Sequence, residues 1–299
     1  MIHIMMTGLT GYLGGRVARR LIADPTVRLS ALKRSFSDTR SVADIVGRIT
    51  CYDVDRVSLM SMFKNDPVDL VIHCATNYGR NHEARSSIVD ANLVLPLKLL
   101  EASVAHGVKA FINTDTMLNK GISDYTLSKR QMNDWLQVYG AELLAVNVAL
   151  EHFFGPGDDP SKFVSFVIRE LLLGVDRIPL TPGGQRRDFV FIDDVVSAFE
   201  HVVRYAGDKG ASAKGYESFE VGRGESVAVK DFLLMLRDIM GNMTTKLDFG
   251  ALPYRAHEVM SVTADISKVS ALGWSPRVAL SEALQRTIEE ERKYRWKCT

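Results

Sequence analysis

Along the chain, short apolar runs alternate with stretches in which apolar residues return every three or four positions. The runs at 2–6, 27–32, 49–54, 70–75, 110–113 and 143–148 have the length and near-continuous apolarity of strands buried on both faces. Between them, 14–23, 42–46, 59–64, 88–106 and 125–139 predict helices. In the first of these, Val17, Leu21 and Ile22 gather on one side, with Arg16, Arg19 and Arg20 mostly on the other. Strand and helix in alternation predict an α/β fold with a doubly wound parallel sheet and right-handed crossovers.

The rhythm changes after Gly155-Pro156-Gly157. Pro156, Pro160, Pro179 and Pro182 cluster there with Gly183-Gly184, so strands shorten and connections lengthen. A helix follows Asp193-Asp194, and 219–221 is placed to return as a strand of the main sheet. The organisation predicted is a first domain of residues 1–152 plus about 193–221, and a smaller, partly interleaved one of about 153–192 plus 222–299.

Composition narrows the partners. Lys+Arg at 37 against Asp+Glu at 36 gives a net charge of +1, so no bulk charge points to nucleic acid or membrane. The three cysteines, Cys51, Cys74 and Cys298, lack metal-ligand spacing, and two of them fall in predicted strands as small buried residues. A reducing compartment is expected. No apolar run reaches about eighteen residues and the chain opens directly on a strand, so the expected location is cytoplasmic.

The candidate chemistry begins where the first strand ends, at Thr7-Gly8-Leu9-Thr10-Gly11-Tyr12-Leu13-Gly14. Strand, glycine turn and helix in that order build a dinucleotide site. One glycine turns the chain, one lets backbone N–H groups approach a pyrophosphate, and one lets the helix pack on the strand. The phosphates then face the positive end of the helix dipole. The G-x-x-G-x-x-G spacing is similar to that of the short-chain dehydrogenase/reductases. Ligands of such sheets bind beyond the carboxyl ends of the strands, so further site residues are sought there.

At the end of the second strand, an NAD site usually carries an acidic residue about 20 residues after the glycines. Here Lys33-Arg34-Ser35 stand in that place. A guanidinium binds a 2′-phosphate bidentately, whereas a carboxylate repels it, so the pattern predicts NADP(H). Asp53, followed by Val54, ends the third strand and is placed to accept from the adenine amino group, or else to cap the next helix. His73-Cys74-Ala75-Thr76 ends the fourth, near the expected pyrophosphate and ribose.

The reacting groups are expected after the fifth strand. Thr114-Asp115-Thr116 lies at its carboxyl end, and Tyr125-Thr126-Leu127-Ser128-Lys129 opens a helix. Residues four apart share a helix face, so Tyr125 and Lys129 can point into one cleft. A neighbouring ammonium and the nicotinamide charge are expected to lower the tyrosine pKa, making it a proton donor or acceptor near neutrality. Thr116 is expected to hydrogen-bond the substrate oxygen. A second copy of the spacing, Tyr205 and Lys209, falls near a predicted helix end with no strand-end threonine before it.

Gly8, Gly11 and Gly14, Asp53, His73-Cys74-Ala75, the Thr116/Tyr125/Lys129 set, Gly155-Pro156-Gly157, Arg187-Asp188-Phe189 and Leu272-Gly273-Trp274-Ser275-Pro276 together resemble the extended short-chain dehydrogenase/reductases acting on nucleotide sugars. The likeness covers essentially the whole chain. It implies a Rossmann-type domain holding the cofactor and a smaller C-terminal domain binding the nucleotide diphosphate. Within that family the chain looks most like the CDP-paratose and CDP-abequose synthases. The stretches carrying this are Ala75-Thr76-Asn77-Tyr78-Gly79-Arg80, Leu150-Glu151-His152-Phe153-Phe154-Gly155, Lys162-Phe163 and Arg255, Glu258 and Met260.

What the resemblance implies is specific. Cofactor contacts would fall on Gly8, Thr10, Gly11, Tyr12, Leu13, Gly14, Lys33, Arg34, Ser35, Asp53, Val54, Cys74, Ala75, Thr76, Asn92, Tyr125 and Lys129. Substrate contacts would fall on Asn77, Tyr78, Thr116, Glu151, His152, Lys162, Arg187 and Arg255, the two arginines gripping the diphosphate. No metal is implied. A homodimer built from the 88–106 helix and the helix from Tyr125 is common in the family. Two departures stand out: His152 and Ala149 replace an asparagine and an arginine usual before the aromatic-Gly-Pro element, and the loop from Thr116 to Tyr125 is short. Glu151-His152 either lines the hexose pocket or braces the domain junction.

Three activities compete. The leading one is NADPH-dependent reduction of the 4-keto group of a nucleotide-activated deoxyhexose or dideoxyhexose. A 4-epimerase would need to retain NAD, which usually accompanies the acidic clamp that Lys33-Arg34-Ser35 replaces. An NADP-sensing protein without catalysis would tolerate loss of Tyr125 or Lys129, and both are present. A 4,6-dehydratase is set aside because Met117-Leu118 stand where that activity needs Asp-Glu.

Overall fold

The protein, described here from a computed structural model over residues 1–80, 83–210, 212–256 and 258–295, opens with β1 (Ile2–Thr7), α1 (Tyr12–Leu21), β2 (Val27–Lys33), β3 (Thr50–Asp53), α2 (Leu59–Asn65) and β4 (Leu70–His73). It continues through α3 (Arg85–Val89), a π turn at Asp90–Val94, α4 (Leu95–Ala105), β5 (Ala110–Thr116), α5 (Asp124–Tyr139) and β6 (Leu144–Leu150). Next come β7 (His152–Phe154), α6 (Phe163–Leu173), β8 (Arg177–Leu180), β9 (Arg186–Arg187), β10 (Phe189–Phe191), α7 (Ile192–Asp208) and β11 (Gly215–Val221). The chain closes with β12 (Val227–Ala228), α8 (Val229–Met240), β13 (Lys246–Phe249), α9 (Ser267–Ser270) and α10 (Leu280–Arg295).

Seven strands form one sheet in the order β11-β6-β5-β4-β1-β2-β3, with β1 to β6 paired in parallel. This is the Rossmann-type, doubly wound arrangement. The chain runs from β1 outward to β3, then returns to place β4 on the other side of β1. That reversal opens a crevice beyond the carboxyl ends of β1 and β4, where such sheets take their ligands. Beneath it, Met5, Val71, Phe111 and Ala145 from four strands pack with Leu99 and Leu100 of α4 and Met132 and Leu136 of α5. Each fully buried side chain of this size contributes about 1.5–3 kcal/mol by leaving water.

The chain divides into two compact units. One comprises Met1–Leu150, Val196–Glu220 and Lys268–Trp274; the other comprises Glu151–Val195, Val221–Ser267 and Ser275–Thr299. The short segment Lys268–Trp274 therefore groups with the sheet rather than with the second domain expected for all of 222–299. Its Val269 and Trp274 are buried, which ties it down. The second unit is smaller and holds three two-stranded pairings, β10 with β7, β12 with β9 and β13 with β8. Its aromatic centre stacks Phe189 on Phe232 at 3.8 Å between centroids, with Phe154 edge-on to Phe232 at 5.9 Å. Among the described residues, no helix is long and apolar enough to cross a membrane.

Four local expectations change. The helix expected at 42–46 is instead two single 3₁₀ turns, Arg40–Val42 and Val46–Arg48; Val42 in the first and Ile45 between them are buried. Five residues yield too few bonds to offset helix nucleation. The uniform helix over 88–106 is interrupted by the π turn, because Pro96 has no N–H for the carbonyl four residues back and its ring crowds that carbonyl. The fifth strand runs on to Thr116, because β6 continues beside it as far as Leu150. Cys298 lies outside the described residues, and Cys74 falls one residue past β4.

Candidate active site

The glycine turn is shaped by close backbone approach. Gly8 adopts φ +76°, and a Cβ there would stand 2.6 Å from the Ala75 nitrogen. A Cβ on Gly14 would stand 2.1 Å from the Gly8 carbonyl oxygen. Both positions therefore exclude any side chain, and the ends of β1 and β4 meet at this turn. Gly11 donates its N–H to the Gly8 carbonyl at 2.9 Å and occupies the N-cap of α1, whose first turn has no acidic residue. Leu13 is buried, Tyr12 carries Arg16 over its ring, and the Thr10 carbonyl accepts from the Ser41 hydroxyl. A tight glycine turn that leads into the positive end of a helix fits a dinucleotide pyrophosphate.

The basic strand end is exposed at Arg34 and Ser35, with Lys33 half-buried before them. The Arg34 guanidinium lies 5.8 Å from the centroid of the exposed Phe36 ring. Ser35 does not stand apart: its hydroxyl donates to Asp53 at 2.6 Å, and its N–H donates to Asp55 at 2.9 Å. Asp53 also accepts the Asp55 N–H at 3.0 Å, and Ser35 leads the groups that lower its pKa. It does not cap α2, whose N-cap is Ser58. Val54 pairs its N–H with the Lys33 carbonyl, closing the same corner.

Beyond β4, the chain is fastened from below. Thr7 Oγ1 accepts the Ala75 N–H at 3.1 Å and meets His73 Nδ1 at 2.8 Å. His73 is fully buried, and desolvation holds its pKa well below the usual histidine value, so the ring is neutral. Burial pushes the Cys74 thiol up to about 11. Asn92, in the π turn, uses its whole amide on the protein. Its Oδ1 accepts from Thr76 Oγ1 and the Asn77 N–H, and its Nδ2 donates to the Asn77 carbonyl and Ser128 Oγ. Asn92 is fully buried and braces the 76–77 loop against α5.

The Tyr125 helix starts on a capping box between Ser123 and Thr126, which fixes its first turn. Tyr125 is hydrogen-bonded to the Thr116 side chain, and its ring lies 5.0 Å from that of Tyr78. Arg80 covers the Tyr78 ring at 4.6 Å. Lys129 is buried and donates to the Thr114 carbonyl at 2.8 Å. Thr116, Tyr125, Lys129 and Tyr78 are thus brought to one strand end.

The pKa expectation for Tyr125 is reversed. Burial, followed by Tyr78 and Asp115, pushes it far above the usual tyrosine value, while the Thr116 hydrogen bond and Arg80 pull weakly the other way. The Lys129 ammonium gives one of its three N–H groups to the Thr114 carbonyl and is not among the groups that shift the phenol. Lys129 itself is drawn down to about 8 by desolvation, against the opposing pull of Asp115.

Two residues here were passed over in the sequence. Asp115 is buried, and Lys120 donates to its carboxylate and to the Thr116 carbonyl, each at 2.6 Å. A carboxylate inside an apolar strand, with a lysine five residues on, was the available signal. The other copy of the spacing stays apart: Lys209 rests 5.1 Å from the Tyr205 ring, which packs edge-on against Phe219.

In the second unit, Glu151 is buried and its carboxylate meets His152 Nδ1 at 2.9 Å, with the His152 ring edge-on to Phe189. Lys162 pairs with Asp158 at 2.9 Å and lies over the Phe153 ring. Arg187 is engaged by the Glu258 carboxylate and by the Val259 and Arg186 carbonyls, which brace its guanidinium within this unit. Arg255 is exposed.

Comparison with known proteins agrees with this architecture. The model of the NAD dependent epimerase/dehydratase family matches residues 4–222. The chain is 29% identical to a CDP-abequose synthase of Salmonella muenchen, over 95% of this chain and 96% of that one. In fold it is similar to the UDP-glucose 4-epimerase of Thermotoga maritima solved with UDP-glucose (TM-score 0.82, 23% identity, 98% of this chain and 99% of that one). It is equally similar to the UDP-glucuronic acid 4-epimerase of Bacillus cereus solved with UDP-glucuronic acid and NAD (TM-score 0.82, 22% identity, 98% and 100%). The chain is a member of the NAD-dependent epimerase/dehydratase family.

Proposed function

We propose that the protein reduces the 4-keto group of a nucleotide-activated deoxyhexose or dideoxyhexose with NADPH, as a reductase of the CDP-paratose/CDP-abequose synthase kind. The observation that carries this reading is Tyr125, half-buried beside Thr116 at the end of β5, with desolvation raising its pKa and so keeping the phenol in its neutral form. A reductase needs a general acid for the alkoxide it creates, and a phenol held in its neutral form is one. The 29% identity to a CDP-abequose synthase supports the same substrate class.

In this reading the glycine turn and the start of α1 hold the pyrophosphate. Lys33 and Arg34 take the 2′-phosphate, with Ser35 committed to Asp53. NADPH bound there supplies a hydride for the carbonyl carbon. Thr116 orients the ketone, Tyr125 delivers a proton to its oxygen, and Lys129 holds the ribose beside them. Asn77 and Tyr78 contact the sugar, and Arg255 the diphosphate, while Glu151, His152 and Lys162 line the hexose side. Remote contacts of this kind position the ketone without taking part in the chemistry. A homodimer is supported by Leu127, Trp135 and Val138, all exposed along α5.

The second reading is a 4-epimerase, favoured by the two solved epimerases that share the fold. One experiment separates them. A reductase consumes NADPH in proportion to an added CDP-4-keto-dideoxyhexose, and product NMR shows a new C4 hydroxyl. An epimerase interconverts 4-hydroxy sugar nucleotides with no net change in cofactor. NADPH binding without either turnover would leave the sensor.

A further inference from the structure

Three consecutive residues at the end of β5 hold two ammonium groups. The Thr114 carbonyl accepts from Lys129 at 2.8 Å, and the Thr116 carbonyl accepts from Lys120 at 2.6 Å. Between them lies the Asp115 carboxylate. One of its oxygens accepts from Lys120 at 2.6 Å and from the Thr116 N–H at 2.7 Å, and the other accepts from Asn147 at 3.1 Å. The Asp115 side chain is 2% exposed and that of Lys120 30%, so the pair is anchored inside with its cation nearer to water.

We propose that Asp115 and Lys120 are positioning residues of the proton-transfer site, an opposed pair of charges that governs the protonation of Lys129. The proposal rests on the reading of Tyr125 and Lys129 given above. The charges act in opposite directions on Lys129: Asp115 favours its ammonium and Lys120 opposes it. Among the described residues, Cys74 at the end of β4 also favours the ammonium, and the neutral His73 ring stands beside it, with the Tyr125 phenol one turn earlier on α5. Asp115 also disfavours the tyrosinate form of Tyr125. The same carboxylate therefore holds both proton-bearing groups in their protonated states, as proton delivery to a ketone requires. Lys120, through its bond to the Thr116 carbonyl, keeps the short loop after Thr116 in register with that charge.

The test uses the whole protein with lysine side chains ¹³C-labelled, and Lys129 identified by the signal lost in Lys129→Met. In Asp115→Asn the Lys129 titration midpoint should fall by about one unit, and in Lys120→Met it should rise. The basic limb of kcat for NADPH-dependent reduction should move the same way in each variant. A structural brace would lower activity or stability in both while leaving the midpoints in place. Unmoved midpoints, or midpoints moving in the same direction, overturn the proposal. If Asp115→Asn does not fold, Lys120→Met decides: a rise supports the charge pair and no change overturns it. Opposed midpoint shifts in a protein that reduces no 4-keto sugar nucleotide would leave the charge pair standing and remove the assigned reaction.

Discussion

At the scale of single residues, the decisive group is Tyr125. Its hydroxyl is kept protonated by burial and aimed by Thr116, which suits donation to a developing alkoxide. Tyr125→Phe leaves the ring packed against Tyr78, so folding and NADPH binding should persist while the reduction rate falls by about 10²–10⁴. Tyr205→Phe, at the Tyr-Lys pair that packs as a cation on a ring, should leave turnover nearly unchanged in the same assay. Cofactor choice also belongs to single side chains. Arg34 is exposed at the end of β2, and Arg34→Asp should move the affinity ratio, measured by nicotinamide fluorescence, from NADPH toward NADH. Equal affinities of the wild type for both cofactors would remove the role given to Lys33 and Arg34.

At the scale of elements, the β1–turn–α1 unit and the β5–loop–α5 unit do different work. In the first, backbone meets backbone with no room for a side chain. Gly14→Ala would drive a methyl into the Gly8 carbonyl, so the turn must open and α1 must shift. The expected cost is about 1–3 kcal/mol in urea unfolding, together with a loss of NADPH affinity larger than stability alone explains. Undiminished cofactor affinity in a folded Gly14→Ala variant would mean that the turn does not hold the pyrophosphate. In the second unit the capping box of Ser123 and Thr126 sets where α5 begins, and hence where Tyr125 and Lys129 stand. The π turn serves the same end, since it is what places Asn92 against Ser128 and the 76–77 loop.

At the scale of the whole molecule, the strand order decides which ends meet, and buried charge decides how the fold answers pH. His73 is neutral in the folded chain, with a pKa well below the unfolded value of about 6.5. Below about pH 6.5 the unfolded chain binds a proton there that the folded chain refuses. Stability therefore falls as pH drops from about 6.5 toward the folded pKa, by up to about 1.4 kcal/mol per pH unit. His73→Phe keeps a ring beside Phe111 and removes the titration. It should be less stable at neutral pH yet show a flatter dependence of urea midpoint between about pH 6.5 and 5. Parallel slopes for wild type and variant would show that His73 does not supply this sensitivity.

Much of the architecture was legible from periodicity. Buried parallel strands are continuously apolar and amphipathic helices repeat near 3.6 residues, so both element types and the α/β class can be read without a structure. The glycine turn was legible because only glycine tolerates such approach, and the Tyr125–Lys129 relation because four residues are about one helical turn. What tertiary structure decided depends on partners far along the chain and on burial. The sequence could not show that Arg187 is claimed by Glu258, 71 residues on, or that the Asn92 amide is spent on the 76–77 loop and Ser128. Nor could it show that Tyr125 is pushed up instead of down. A pKa is set by the solvent excluded around a group and by the charges that face it, and only the folded chain brings Asp115, Lys120 and Lys129 to one strand end.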